Sequence, residues 1–88
     1  MTSQIRRAAV SIPANIAEGH GRENSGSFIQ FLRMAQGSLK ELETHFVLAA
    51  RVGLIATKEI EPAMKQGDDL GKMLRSLIRS IQRKQSDD

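Results

Sequence analysis

The chain of 88 residues contains no cysteine, no tryptophan and no tyrosine, and it has only two prolines and three phenylalanines. Each absence removes a class of protein. Without cysteine there is no disulfide to staple a small fold and no thiolate to hold a metal. That composition suits a reducing compartment, and a cytoplasmic location is the expectation. Without Trp or Tyr, the usual platforms on which unpaired bases stack are missing. No apolar run approaches the ~20 residues that a membrane-spanning helix needs. The start, Met1 to Arg7, is polar and carries Arg6 and Arg7, unlike the apolar core of a signal peptide. No membrane partner is expected.

Catalytic patterns are missing as well. His20 and His45 stand 25 positions apart with no HExxH spacing, so no metal site is assigned. Glu41 and Glu43, two apart on a helix, point about 200° away from each other and cannot share a site. Gly19-His20-Gly21-Arg22 is a glycine-containing turn, but it follows a helical pattern rather than a strand and is no phosphate loop. The expectation is a non-enzymatic protein with no cofactor and no catalytic residue.

What the chain does have is helical periodicity. Across residues 25–53, Phe28, Phe31, Leu32, Ala35, Leu39, Leu42, Phe46, Ala49 and Ala50 recur at steps of three and four. These side chains fall on one stripe of an amphipathic helix that holds all three aromatics. Asn24 and Ser25 mark its start and Gly53 its end. Met34, Leu48 and Val52 form an apolar flank beside the stripe, which points to a second interface, and Gly37 falls on the opposite face.

A first helix is predicted over residues 1–19, with Ile5, Ala8, Ala9, Ile12 and Ile16 on one face and Asn15 at its edge. Pro13 predicts a kink inside it, because proline removes a backbone donor and crowds the carbonyl four residues earlier. Gly19 is the expected left-handed cap. The third helix follows a turn at residues 54–57, with Thr57 as its cap or, alternatively, a start at Glu61 that places Pro62 in the first turn. Its apolar face is Ile60, Met64, Leu70, Met73, Leu74, Leu77, Ile78 and Ile81, and Gly67-Asp68-Asp69 is a point where it could bend or break. Glu43, at the border of the central stripe, predicts a half-buried carboxylate that needs a donor. Asn15 or an arginine is the expected partner. The whole reads as one domain over residues 1–88: all-α, an antiparallel helical bundle subunit of three helices. A core this small gains from self-association, so a homo-oligomer is expected.

Thirteen Lys and Arg against ten Asp and Glu give a formal net charge of +3. Their distribution says more than the total. Residues 71–85 hold five bases and no acid, and Lys72, Arg75, Arg79 and Arg83 are spaced three, four and four along one helix face. Such a face either simply solubilises the protein or holds phosphates. With no aromatic interleaving, phosphate binding would be weakly sequence-specific. Arg6, Arg7 and Arg22 are the further candidates for contact with RNA or DNA. The alternative is a purely structural protein–protein interaction module.

Two segments resemble a known family. The first is Gln4-Ile5-Arg6-Arg7-Ala8-Ala9-Val10-Ser11-Ile12-Pro13-Ala14-Asn15-Ile16-Ala17-Glu18-Gly19, continuing through Gly21-Arg22. The second is Phe31-Leu32-Arg33-Met34-Ala35-Gln36-Gly37-Ser38-Leu39-Lys40-Glu41-Leu42-Glu43-Thr44. Together they resemble the four-helix bundle proteins encoded in intervening sequences of 23S ribosomal RNA genes, a family that also includes accessory variability determinant proteins of diversity-generating retroelements. The resemblance implies an all-α bundle, assembly into a homopentamer and no known enzymatic activity. In the retroelement branch it implies a basic surface that engages nucleic acid and a reverse transcriptase. The family pattern has a further helix ahead of Thr2-Ser3-Gln4, so this chain carries three of the four. His20 stands where the family usually has an aromatic residue.

Overall fold

Asn24 decides where the central helix begins. Its backbone is extended, and its side-chain oxygen accepts from the Ser27 amide at 3.1 Å, satisfying one of the donors that a helix start leaves free. The computed structural model describes residues 2–87, and among them it has three helices and no strand: α1 (Thr2–His20), α2 (Ser25–Arg51) and α3 (Thr57–Asp87). Met1, where the first helix is predicted to start, lies outside the described residues. At its far end α2 closes on Gly53, whose φ of +80° is open to glycine at no steric cost. The Gly53 amide donates to the Ala50 carbonyl at 3.2 Å and the Leu54 amide to that of Ala49 at 2.9 Å, the paired bonds of a Schellman ending.

The predicted stripe of α2 is the inner face. Leu32, Ala35, Leu39 and Ala49 are buried, Leu32 completely, and the other five stripe residues are half-buried. They meet Ile12 of α1 and Leu74 and Ile78 of α3 in one core, with Ile16, Phe28, Leu42, Leu70 and Ile81 packed at its edge. Ile29, which the periodicity places on a flank, is also in that core. Both α1 and α3 pack against α2, and no Cα of α1 comes within 8 Å of one in α3 among the described residues. The chain is consequently long and flat, 51 × 20 × 13 Å, with a radius of gyration of 14.9 Å. About 12 Å is usual for this length.

Small residues set how closely the helices approach. Along α1, Gly19 lies against Phe28 and Phe31, while Ser11 reaches Ser38, so the contacts run in opposite directions on the two helices. The hydroxyls of Ser11 and Ser38 are 2.8 Å apart, and the Asn15 amide donates to the Ser11 carbonyl at 2.9 Å and to the Ser11 Oγ at 3.0 Å. Between α2 and α3 the close approach is at Gly67 and Gly71. A Cβ on either would stand 3.4–3.5 Å from a Leu39 methyl.

Several expectations are corrected here. Gly19 is no left-handed cap: it is buried inside α1, has no positive φ, and is there because Phe31 leaves no space for a side chain. Asn15 does not reach Glu43; its amide is spent on Ser11. Gly67-Asp68-Asp69 neither breaks nor ends α3, since Gly67 fits against Leu39 while both aspartates stay exposed. Thr57 is the first helical residue rather than a cap outside the helix, and Pro62 falls in the second turn. Pro13, by contrast, leaves α1 unbroken, as expected, and it is exposed, so water can reach the carbonyl of exposed Ala9 that it leaves without a donor.

Gly37 is different from these. It is exposed in mid-helix, and a Cβ there would meet nothing within 4 Å. Close approach of another helix therefore does not explain it. Gly37→Ala is expected to stabilise the chain by about 0.5–1 kcal/mol, the usual helix-interior difference between the two residues. A urea melt with an unchanged or lower midpoint would contradict this.

Candidate nucleic-acid interface

The four predicted cations of α3 do share an exposed face, and the fold adds to them. Arg75 lies along α3 with its guanidinium Nη1 3.5 Å from where a Gly71 Cβ would be. Because Gly67 and Gly71 carry no side chains, a furrow opens between α2 and α3. One stretch, of about 300 Å³, is lined by Gln36, Leu39, Lys40 and Glu43 from α2 and by Gly67, Asp68, Gly71, Lys72 and Arg75 from α3. A second, of about 370 Å³, is lined by Arg33, Gln36, Arg75, Ile78, Arg79 and Gln82. They share Gln36 and Arg75, so the two stretches lie next to each other along the furrow. Arg83 borders a further depression beside Arg79.

Two rows of cations thus border the furrow: Lys72, Arg75 and Arg79 on α3, with Arg83 next along the same helix face beyond it, and Arg33 and Lys40 on α2. The α2 pair was not assigned from the sequence. The available signal was their spacing of seven with Gln36 between, off the apolar stripe. What the sequence lacked was which flank of α2 the third helix covers.

Six cations meet two acids, Glu43 and Asp68. Among the described residues the acid–base contacts are Glu18–Arg22 at 2.6 Å and Glu41 to the His45 imidazole at 3.5 Å, and neither involves any of the six cations. Glu43 is half-buried, as expected, but it has no hydrogen bond or ion pair among the described residues. Its Oε2 lies 3.7 Å from the Gly67 Cβ position. It faces a furrow open to solvent rather than a dry core.

The remaining candidates lie elsewhere. Arg22 is held by Glu18 and sits 5.1 Å above the Phe31 ring, a cation–π contact at the α1–α2 turn. Arg6 and Arg7 are exposed on α1 and line neither stretch of the furrow. His20 packs edge-on against Phe28, with ring centroids 6.0 Å apart. No group of three His, Cys, Asp or Glu side chains converges among the described residues. No described helix is long and apolar enough to cross a membrane.

No curated protein matches the chain. The family model described as 23S rRNA-intervening sequence protein matches residues 1–76, which takes in α1, α2 and α3 as far as Lys72 and Arg75. The chain belongs to the 23S rRNA-intervening sequence protein family.

Proposed function

We propose that the protein is a non-enzymatic helical-bundle subunit that holds RNA or DNA by its phosphates in the furrow between α2 and α3. The observation that carries this reading is the pair of cation rows bordering one furrow, with no ion pair consuming them among the described residues. Helix geometry supports it further. Successive residues of the α3 row rise by about 4.5–6 Å along the axis, a repeat suited to following a charged backbone. The family description names an intervening sequence of 23S rRNA and no ligand, so RNA and DNA are tested side by side. All three aromatics belong to the inner stripe of α2, and binding therefore rests on charge with little base discrimination.

A second reading, a structural module whose bases only solubilise it, has that same lack of stacking groups in its favour. A gel shift with RNA and with DNA of unrelated sequences separates the two. Phosphate binding gives shifts that weaken steeply with salt and differ little between sequences. No shift at low salt would leave the structural module. Glu43→Gln extends the test, because it removes an anion from the furrow without removing volume. Affinity is expected to rise a few-fold and stability to change by less than about 0.5 kcal/mol, since no buried donor depends on the carboxylate. A weaker complex would show that Glu43 itself contacts the ligand.

A further inference from the structure

Charge is not spread evenly along the furrow. The stretch at Gly67 has three cations, Lys40, Lys72 and Arg75, and two acids, Glu43 and Asp68. The neighbouring stretch, over the buried Ile78, has Arg33, Arg75 and Arg79 and no acid, with Gln36 and Gln82 beside them. Arg83 follows on the same side, next to Arg79. No ion pair among the described residues involves any of these four arginines.

The cation types divide in the same way. Apart from the shared Arg75, the bases of the first stretch are lysines and those of the second are arginines. An ammonium acts as a point charge, whereas a guanidinium presents a planar fork that pairs with two oxygens at once. A phosphodiester inside a strand offers a single charge and a pair of free oxygens. A phosphate at a strand end is a monoester, with about −1.5 to −2 charges at neutral pH and three strong acceptor oxygens. Three forks with no acid beside them exceed what a diester can use, and they match the monoester. The carboxylates of Glu43 and Asp68 make the other stretch the worse place for a doubly charged group.

We infer that the stretch lined by Arg33, Arg75 and Arg79 seats the terminal phosphate of a nucleic-acid strand, whose following phosphodiesters run toward Lys72 and Lys40. The inference rests on the nucleic-acid reading proposed above, and adds to it a preference for a strand end over internal backbone. It requires no base recognition, because charge and oxygen number alone distinguish the two kinds of phosphate. Arg75, which borders both stretches, stands between the end phosphate and the first diester. The chemistry recognised is a phosphomonoester, carried on the 5′ or the 3′ end.

Calorimetric titration of the full chain tests it, with a short single-stranded RNA of mixed sequence made in three forms: 5′-phosphate, 3′-phosphate, and hydroxyls at both ends. At low salt at least one phosphorylated form is expected to bind roughly ten-fold tighter than the hydroxyl form, as for a gained hydrogen bond between charged groups. Which form does so identifies the end. Lowering the pH from about 7.5 to about 5 should shrink that ratio, because the second ionisation of a phosphomonoester lies near pH 6. Arg33→Gln is expected to abolish the ratio while the hydroxyl form still binds. Lys40→Gln should weaken all three forms alike and leave the ratio in place. Equal binding of the three forms, with salt-dependent binding intact, would overturn the inference and leave the proposed function standing. A ratio that Lys40→Gln removes as fully as Arg33→Gln, or one that persists at about pH 5, would overturn it too. No binding of any form would overturn both.

Discussion

Gly19→Ala is expected to lower stability by about 2 kcal/mol, even though alanine is the better helix former. A Cβ at position 19 would lie 2.7 Å from the Phe31 Cβ and 3.3 Å from the Phe28 carbonyl oxygen. Neither atom is the end of a flexible side chain; one belongs to the backbone and the other is bonded to it. Relief therefore requires α1 and α2 to move apart at this end, and α2 carries the core residues that both neighbours share. Overpacking costs about 1–3 kcal/mol, and a 2.7 Å contact on groups that cannot swing away puts this case at the upper end, about 3 kcal/mol, offset by about 1 kcal/mol of helix propensity. For a domain this size, 1 kcal/mol corresponds to about 4–8 °C, so the thermal midpoint should fall by roughly 10 °C. Gly19→Val should cost more, since it adds both volume and χ1 restriction. A Gly19→Ala chain as stable as the parent would mean that the helices meet less tightly than the structure shows.

Gly19 also illustrates what the sequence could and could not reveal. A glycine at the end of an apolar pattern has two common uses, a left-handed cap and a close approach, and only the first has a local signature. The second depends on Phe28 and Phe31, which are nine and twelve residues away. The same applies to Gly67 and Gly71. Their neighbour Leu39 is in another helix, and Gly67 followed by two aspartates looks locally like a breaker. Gly53, whose role is local, was legible. So was Asn24, whose bond to the Ser27 amide spans three residues.

The stripe of α2 was legible because it depends only on helical period, and burial followed it residue by residue. The candidate site was half legible for the same reason. The α3 row repeats at helical spacing within eleven residues, so its shared face could be read directly. Arg33 and Lys40 join it only because α3 packs on one particular flank of α2, a fact that no local pattern carries. Glu43 and Asn15 failed in a related way. Both lie at the edges of apolar stripes, but they are on opposite flanks of α2, one at the α3 side and the other beside Ser38 at the α1 side.

The two rows make separable contributions to the expected salt dependence, four cations from α3 and two from α2. If all six cations meet phosphates, log affinity for duplex should fall against log salt with a slope of about −5.4, and for a single strand about −4.2. Raising salt from about 50 to 200 mM would then weaken duplex binding roughly 2,000-fold. Arg75→Gln with Arg79→Gln removes two contacts from α3, and Arg33→Gln with Lys40→Gln removes two from α2. Each pair should bring the duplex slope to about −3.6 and the loss over that salt range to roughly 150-fold. Glutamine matches arginine and lysine in helix propensity, and all four side chains are exposed, so the fold should be unaffected. Arg6→Gln with Arg7→Gln is the control, since neither residue lines the furrow, and its slope should equal that of the parent. A flattened slope from the α3 pair alone would confine the contact to the outer face of α3. A flattened slope from the Arg6 and Arg7 pair would move it to α1. Only loss from both rows, with α1 silent, fits a backbone lying between α2 and α3.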